Sequence, residues 1–249
     1  MRYCIEFCYH GKNYFGFQIQ PKEISVQEVM ERALSTILRE EIKITGAGRT
    51  DTGVHARKIF AHFDTEQVLN EQLAYRLNSF LPADVAVKEV FRVHDDFHAR
   101  FDATYRTYEY YISTEKDPFS RDSAWQWRGK SPDVAKMNSA CKILMETHDF
   151  TSFAKLHTDN KTNLCKIYIA EWDQTGTMLK FTVSADRFLR NMVRALVGTL
   201  TDIGTGKINE EDLRKIISDK NRNAAGTSAP PQGLFLVDVG YDFQTVTDD

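Results

Sequence analysis

Residues 46–56, GAGRTDTGVHA, combine three glycines with three side chains that could do chemistry: Arg49, Asp51 and His55. Glycines permit positive φ angles and close backbone approach, so they predict a compact loop with open space above it. Arg49 and Asp51 are two residues apart, which in an extended loop points both side chains the same way and favours an ion pair. Such a pair keeps the carboxylate ionised, as a nucleophile or general base requires. Residue types alone favour an alternative, an Asx-turn in which Asp51 caps backbone N–H groups.

Two other site classes fit this loop poorly. Its glycines do not follow the GxGxxG pattern, with an acidic residue some 20 positions on, that dinucleotide binding uses. His55 and His62 could begin a metal site, but the sequence offers no third ligand nearby. We therefore expect two ordinary polar histidines and no metal.

A second candidate stretch is RTYEYYI, residues 106–112, which is expected to form a strand. Alternation along a strand places Arg106, Tyr108 and Tyr110 on one face. An arginine beside aromatic rings on a sheet face is one way in which proteins stack and clamp an RNA base. A core sheet face whose tyrosine hydroxyls reach water explains the pattern equally well.

A third stretch, residues 184–200, places Arg187, Arg190 and Arg194 at helical spacing opposite an apolar face. Like charges at this spacing repel, and the helix dipole disfavours cations in the first turns. The stripe therefore favours a site for phosphate or for a partner carboxylate over a merely solvated face. Two shorter stretches indicate packing: YFGFQ at 14–18, and a rigid proline turn in TSAPPQGLFL at 227–236.

Periodicity and capping signals predict an α+β fold made of two ferredoxin-like β-α-β-β-α-β halves, with antiparallel sheets that form a central cleft. The halves divide near residue 100, into 1–100 with the Asp51 loop and 101–249 with the tyrosine strand and the arginine helix. The predicted strands are 2–9, 41–46, 58–64, 84–93, 103–112, 164–173, 178–185 and 233–241. The predicted helices are 26–38, capped by Ser25, then 65–78, 132–145, 187–203 and 209–219.

Composition indicates a globular chain, because 42% of its 249 residues are hydrophobic and 27% are charged. We expect no membrane span and no signal peptide, because no apolar run is long enough. The four cysteines form no CxxC pair, which favours free thiols and a cytoplasmic location. The net charge of −3 argues mildly against a nucleic-acid partner but does not exclude a local basic patch.

Taken together, these stretches resemble the TruA family of tRNA pseudouridine synthases. GRTDTGVHA is similar to the family signature, and the other motifs follow in family order over nearly the whole chain. They are YFGFQ, SVQEVMERAL, FLPADVAV, DDFHARFDA, RTYEY, DFTSFA, FLRNMVRALVG and APPQGLFL. Departures are small: Phe17 stands where tryptophan is usual, and Asp186 where asparagine is common, which puts a local contact in doubt.

The resemblance implies that the protein converts uridine to pseudouridine in tRNA, at positions 38, 39 and 40 of the anticodon stem-loop, without metal or organic cofactor. It implies three catalytic residues. Asp51 acts as nucleophile or as base on the ribose, Tyr108 stacks on the target base and assists proton transfer, and Arg194 pairs with the aspartate and helps to hold the flipped nucleotide. Leu234 or its neighbours should wall the pocket. Family members are homodimers.

From their residue types, Arg49, Arg106 and Arg190 are expected to bind the RNA. The acidic net charge is compatible with an RNA partner if cations gather along the cleft, and the candidates are Arg100, Arg106, Lys155, Lys161, Lys166, Arg187 and Arg190. Two rival hypotheses are a non-catalytic RNA-binding module that uses the tyrosine face and a small-molecule hydrolase or lyase that uses Asp51 with Arg49.

Overall fold

The computed structural model describes residues 1–155 and 162–243, and they form an α+β protein, which confirms the predicted class. The chain divides into two compact units. The first comprises Met1–Thr104 and the chain from Leu236 onward, and the second comprises Tyr105–Phe235. The predicted division near residue 100 did not include this return of the chain to the first unit. No helix among the described residues is long and apolar enough to cross a membrane.

In the first unit, strand β1 lies between β3 and β4 and is antiparallel to both, while the short strand β2 pairs with β3. Helix α2 packs against β4. Fully buried apolar side chains of β1, β3 and α1, such as Ile5, Phe7, Ile59 and Leu34, form the core. The elements are β1 (Arg2–Tyr9), α1 (Val26–Leu38), β2 (Thr45–Gly46), β3 (His55–Asp64), α2 (Gln72–Phe80) and β4 (Val85–Val93).

Helix α1 begins where its cap predicts. The Ser25 hydroxyl accepts the N–H of Glu28 at 3.3 Å, which satisfies one of the unpaired donors of the first turn. The apolar positions at helical spacing are buried, except for the half-buried Ile37. The helix ends at Arg39, which adopts a left-handed conformation with φ 55.

The predicted strand 41–46 is wrong over most of its length, because side chains of α1 take the N–H groups that strand pairing would use. Ser35 accepts the N–H of Ile42 at 2.9 Å, and the buried carboxylate of Glu31 accepts the N–H of Ile44 at 3.1 Å. Only Thr45–Gly46 remain to pair with β3.

The predicted helix at 65–78 begins later, at Gln72. The Thr65 hydroxyl donates to Glu40 at 2.6 Å and accepts the N–H of Gln67 at 3.2 Å, so it closes a local turn instead of capping a helix. The side chain of Asn70 accepts the N–H of Gln72 at 3.2 Å.

In the second unit, β8 lies between β5 and β7 and is antiparallel to both, while β6 runs parallel to the end of β5. Helix α3 packs on β7 and on α4. The elements are β5 (Tyr105–Ser113), β6 (Trp125–Gln126), α3 (Val134–Glu146), β7 (Ile167–Thr175), β8 (Met178–Ala185), α4 (Met192–Gly204) and α5 (Glu210–Asp219). Strand β9 (Leu234–Gly240) begins at the end of this unit and continues into the first. The thiols are unpaired, as predicted, at Cys4, Cys8, Cys141 and Cys165.

Candidate active site

The loop at 46–56 leaves the sheet after β2 and returns at His55, where β3 begins. Its key turn covers residues 51–54 and is closed by the N–H of Val54, which donates to the backbone carbonyl of Asp51 at 3.1 Å. Gly53, the third residue of this turn, has φ 78, a conformation that other residues rarely adopt. The turn therefore places Asp51 at its first position, where the residue is half-buried.

Residues 9–17, which we call the cradle segment, run beneath this loop and bond to it. The N–H of Phe17 donates to the carbonyl of Thr50 at 3.2 Å, and the N–H of Gly53 donates to the carbonyl of Tyr14 at 3.3 Å. The hydroxyls of Tyr9 and Thr50 are 2.8 Å apart. Phe17 and Tyr14 are buried, so the prediction that YFGFQ serves packing is confirmed.

His55 joins the cradle segment to the loop from inside the protein. It is 1% exposed, and its Nδ1 accepts the N–H of Gly11 at 3.0 Å, while its ring lies 4.2 Å from that of His10. His62 is likewise buried and accepts the N–H of Ala99 at 3.1 Å. The expectation of two merely polar histidines was therefore incomplete, because each satisfies a buried backbone donor. In residues 1–155 and 162–243, no cluster of three or more His, Cys, Asp or Glu side chains could hold a metal ion.

Asp84, just before β4, fixes the cradle segment in turn. Its carboxylate accepts the hydroxyl of Tyr14 at 2.5 Å and the amide of Asn13 at 2.9 Å, while its carbonyl accepts the N–H of His10 at 2.8 Å. Burial and this carboxylate raise the pKa of Tyr14, so its hydroxyl remains a donor at neutral pH. A continuous chain of bonds thus connects β4, the cradle segment and the Asp51 loop.

The side chain of Arg49 is exposed, and it enters no ion pair within the described part of the chain. The expected Arg49–Asp51 ion pair is therefore not formed. The prediction assumed an extended loop, in which side chains two residues apart point the same way. The loop instead turns tightly at Asp51, so the two side chains do not meet.

In the second unit, the predicted tyrosine face divides into a core residue and a half-buried one. Tyr110 is fully buried, and its hydroxyl donates to the carbonyl of Pro230 at 2.7 Å; burial raises its pKa, so the phenol stays protonated. Tyr108 is half-buried, and its ring meets that of Phe188 edge-on, with centroids 5.1 Å apart. Of the two rings, Tyr108 is the one that a ligand could reach.

The predicted arginine stripe on a helix is wrong, because α4 begins at Met192 and not at 187. Asn191 adopts a left-handed conformation with φ 65, and its side-chain amide donates to the hydroxyl of Ser228 at 2.6 Å. Arg187 and Arg190 therefore precede the helix, and of the three predicted arginines only Arg194 lies on it.

Arg194 is oriented by the turn at 226–233. Its Nε donates to the carbonyl of Ala229 at 2.7 Å, and the N–H of Ala229 donates back to the carbonyl of Arg194 at 2.9 Å. The first bond restrains the half-buried guanidinium, and the second holds the backbone of the turn against that of Arg194. The turn continues through Pro231–Gly233 into β9, which confirms the predicted proline turn, and Leu234 begins the strand with 6% of its surface exposed.

Asp186, which directly follows β8, forms hydrogen bonds with three cationic residues. Its carboxylate accepts the N–H groups of Lys166 at 2.8 Å and Arg187 at 2.7 Å, and its carbonyl accepts Nη1 of Arg106 at 3.0 Å. Both carboxylate bonds come from backbone donors, so the aspartate is well suited to a position where asparagine was expected. A neighbouring bond joins the N–H of Lys155 to the carbonyl of Arg190 at 3.0 Å.

Sequence reasoning missed the residues that hold the candidate side chains in place: Gly11, Asp84 and Ala229. Each acts through contacts with residues 35 or more positions away. Their position could have indicated this role, because Gly11 lies just before YFGFQ and Ala229 begins APPQGLFL. Both motifs were interpreted as packing alone.

Two glycines of the Asp51 loop provide a matched stability test. A Cβ on Gly46 would overlap the ring of the buried Phe17, whereas a Cβ on Gly48 would meet nothing within 4 Å. We expect Gly46→Ala to destabilise the protein by about 1–3 kcal/mol through overpacking, and Gly48→Ala to change stability by less than about 0.5 kcal/mol. Thermal melting of both variants checks this, and equal melting temperatures would contradict the described packing.

Comparison with known proteins places the chain in a family. A family model described as tRNA pseudouridine synthase matches residues 7–102 and 140–242. The tRNA pseudouridine synthase A of Bacteroides fragilis is 54% identical over 244 residues, which cover 96% of each chain. That of Parabacteroides distasonis is 51% identical, again over 96% of both, and that of Bacillus subtilis is 39% identical over 97% of this chain and 100% of its own. The chain therefore belongs to the tRNA pseudouridine synthases, a family of isomerases.

Proposed function

We propose that this protein converts uridine to pseudouridine in the anticodon stem-loop of tRNA, at positions 38, 39 and 40, without metal or organic cofactor. The observation that carries the proposal is the half-buried Asp51, presented at the first position of a turn whose backbone is bonded to the cradle segment. Family membership and the open space beside Gly48 support it, because a nucleotide needs room above the loop.

The reaction is an isomerisation within one nucleotide. The glycosidic bond between N1 and C1′ breaks, the base turns within the site, and a bond forms between C5 and C1′. The proton at C5 leaves to solvent, and N1 gains a proton, so substrate and product have the same composition. Base rotation requires a pocket that holds the detached uracil and excludes competing water.

Asp51 is the catalytic residue in this proposal. As a nucleophile it attacks a ribose carbon, and as a base it removes a ribose proton; both routes use the ionised carboxylate. The turn is compatible with either role. It is closed by the backbone carbonyl of Asp51, and this closing bond does not use the carboxylate.

Tyr108, Arg194 and Leu234 complete the proposed target site. A paired uridine must leave its stack, at a cost of a few kcal/mol, and an aromatic ring can replace the lost stacking. The half-buried ring of Tyr108 fits this role, since Phe188 supports it at its edge. Arg194, oriented by Ala229, pairs with the aspartate and holds the flipped nucleotide, while Leu234 walls the pocket.

RNA backbone contacts are assigned to a basic cluster around Asp186. The cluster consists of Arg106, Lys155, Lys166, Arg187 and Arg190. The hydrogen bonds that connect these residues all lie within the second unit. These five cationic side chains outnumber the single carboxylate of Asp186 among them, which gives the cluster a net positive charge that suits phosphates. Arg49 and Arg100 of the first unit are proposed as further contacts, and Lys161 lies outside the described residues.

The finer architecture belongs to the same proposal. Two ferredoxin-like halves, residues 1–100 and 101–249, form the central RNA-binding cleft, and the enzyme acts as a cytoplasmic homodimer. Within the first unit, the order of strands and helices and the antiparallel pairing of β4, β1 and β3 support such a half.

Release of tritium from uracil C5 tests the proposed reaction. We expect the enzyme to release tritium from an anticodon stem-loop RNA labelled at C5 of uridines 38, 39 and 40, with a chelator present, because the C5 proton is lost when the new bond forms. A stem-loop with cytidine at these positions and labelled uridine elsewhere is the matched control. Absence of release from several tRNAs would contradict the proposed function.

Salt dependence tests the basic cluster. Each phosphate contact adds about 0.7–0.9 to the slope of log affinity against log salt concentration. We expect the double variant Arg187→Gln, Arg190→Gln to lower that slope by about 1–2 for tRNA binding, measured by filter retention. Arg214→Gln, which changes an exposed arginine on α5, is the control and should leave the slope unchanged. A wild-type affinity that does not vary with salt would refute the assignment.

A further inference from the structure

The turn at residues 98–102 presents an aromatic ring to solvent. Phe101 is 72% exposed, although the backbone beneath it is firmly held. The N–H groups of Phe101 and Asp102 both donate to the carbonyl of His98 at 3.0 Å, and the carboxylate of Asp102 accepts the N–H of His98 at 2.7 Å. The ring is therefore carried by an ordered turn and not by a loose loop.

The backbone N–H and carbonyl of Ala99 both bond this turn to the rest of the first unit. The N–H of Ala99 donates to Nδ1 of His62 on β3 at 3.1 Å, and its carbonyl accepts the hydroxyl of Tyr241 at 2.5 Å. Burial lowers the pKa of His62 to about 4, so its neutral ring accepts this bond at neutral pH. His62 is also the pairing partner of Thr45, the residue that precedes the Asp51 loop.

The side chains of the turn pack against one another and against His62 of β3, whose ring meets that of His98 at an angle of 61°. The ring centroids of His62 and His98 are 4.9 Å apart, and those of His98 and Phe101 are 4.2 Å apart with an angle of 36° between the planes. The guanidinium of Arg100 lies 5.8 Å from the centre of the Phe101 ring. An aromatic ring supported by another ring, open to solvent and beside a cation, has the features of a nucleobase-stacking site.

We propose that Phe101 is a stacking platform for an unpaired tRNA base other than the target uridine, and that Arg100 binds an adjoining phosphate. This inference rests on the proposed function and deepens it. The ring lies against His98 and Arg100, and Asp102 follows it in the chain. Such polar neighbours suit an RNA contact better than the apolar core of a protein interface, whereas a base needs only one ring to stack on. Phe101 is thus a residue that positions the substrate and takes no part in the chemistry.

Substitutions at Phe101 test the platform in the full-length protein. We expect Phe101→Ala and Phe101→Leu to weaken tRNA binding, measured by fluorescence anisotropy, by about 5- to 100-fold because the stacking ring is lost. Phe101→Trp should stay within about twofold of wild type, since it keeps a ring. In steady-state assays KM should rise and kcat should stay unchanged. Melting temperatures should not change, because the side chain is largely exposed.

Phe119→Ala is the matched control, because Phe119 is 97% exposed in the second unit and has no place in the proposed stack. An equal loss of affinity in this variant would overturn the inference, as would wild-type affinity in Phe101→Ala. Retained affinity in Phe101→Leu would overturn it as well, because apolar bulk would then suffice. A change from dimer to monomer in sedimentation of Phe101→Ala would assign the ring to a contact between copies and also contradict it.

These outcomes are independent of the isomerase reaction. If the wild-type protein binds tRNA but releases no tritium, the proposed function fails, while the affinities of the Phe101 variants still decide the platform. If the wild-type protein releases tritium and Phe101→Ala binds and turns over normally, only the platform fails.

Discussion

The backbone bonds between the cradle segment and the Asp51 loop are the constraint on which the rest of the site depends. A short loop rich in glycine has many accessible conformations, and fixing it costs conformational entropy. The N–H of Phe17 on Thr50 and the N–H of Gly53 on Tyr14 select one of these conformations. Because these bonds use backbone atoms, they hold the shape of the loop without using the carboxylate of Asp51.

The second unit orients its candidate side chain in a comparable way. Arg194 and Ala229 exchange two hydrogen bonds, so the position of the guanidinium depends on a turn 35 residues away in sequence. The same turn receives the hydroxyl of Tyr110, which connects it to β5, the strand that carries Tyr108. In both units, buried polar bonds to backbone groups position the candidate residues and limit their freedom before substrate binds.

The sequence was sufficient where local signals decide the structure. The Ser25 cap and the apolar spacing behind it placed α1, and alternation placed β1, β4 and β8 to within a residue or two. Motif resemblance identified the family, which the comparisons confirm. Glycine spacing indicated that Asp51 sits in a compact loop, although residue types alone did not decide between a turn and a site.

Local signals failed where distant residues intervene. The start of α4 depends on Asn191 and its bond to Ser228, and the strand expected at 41–46 was displaced by Glu31 and Ser35 of a neighbouring helix. The absent Arg49–Asp51 ion pair has the same origin, because side-chain spacing in a loop has meaning only once the turn geometry is known. Such contacts become visible only in three dimensions.

The measurement that tests the central claim most directly compares Asp51→Asn with wild type in tritium release, tRNA affinity and melting temperature. Asparagine keeps the shape of the side chain and removes its charge. If the backbone holds the loop and the carboxylate does the chemistry, release falls to background while affinity and melting temperature stay close to wild type. Retained release, or a melting temperature lowered as far as that of Gly46→Ala, would contradict the account, because Asp51 would then be dispensable to the chemistry or a structural cap.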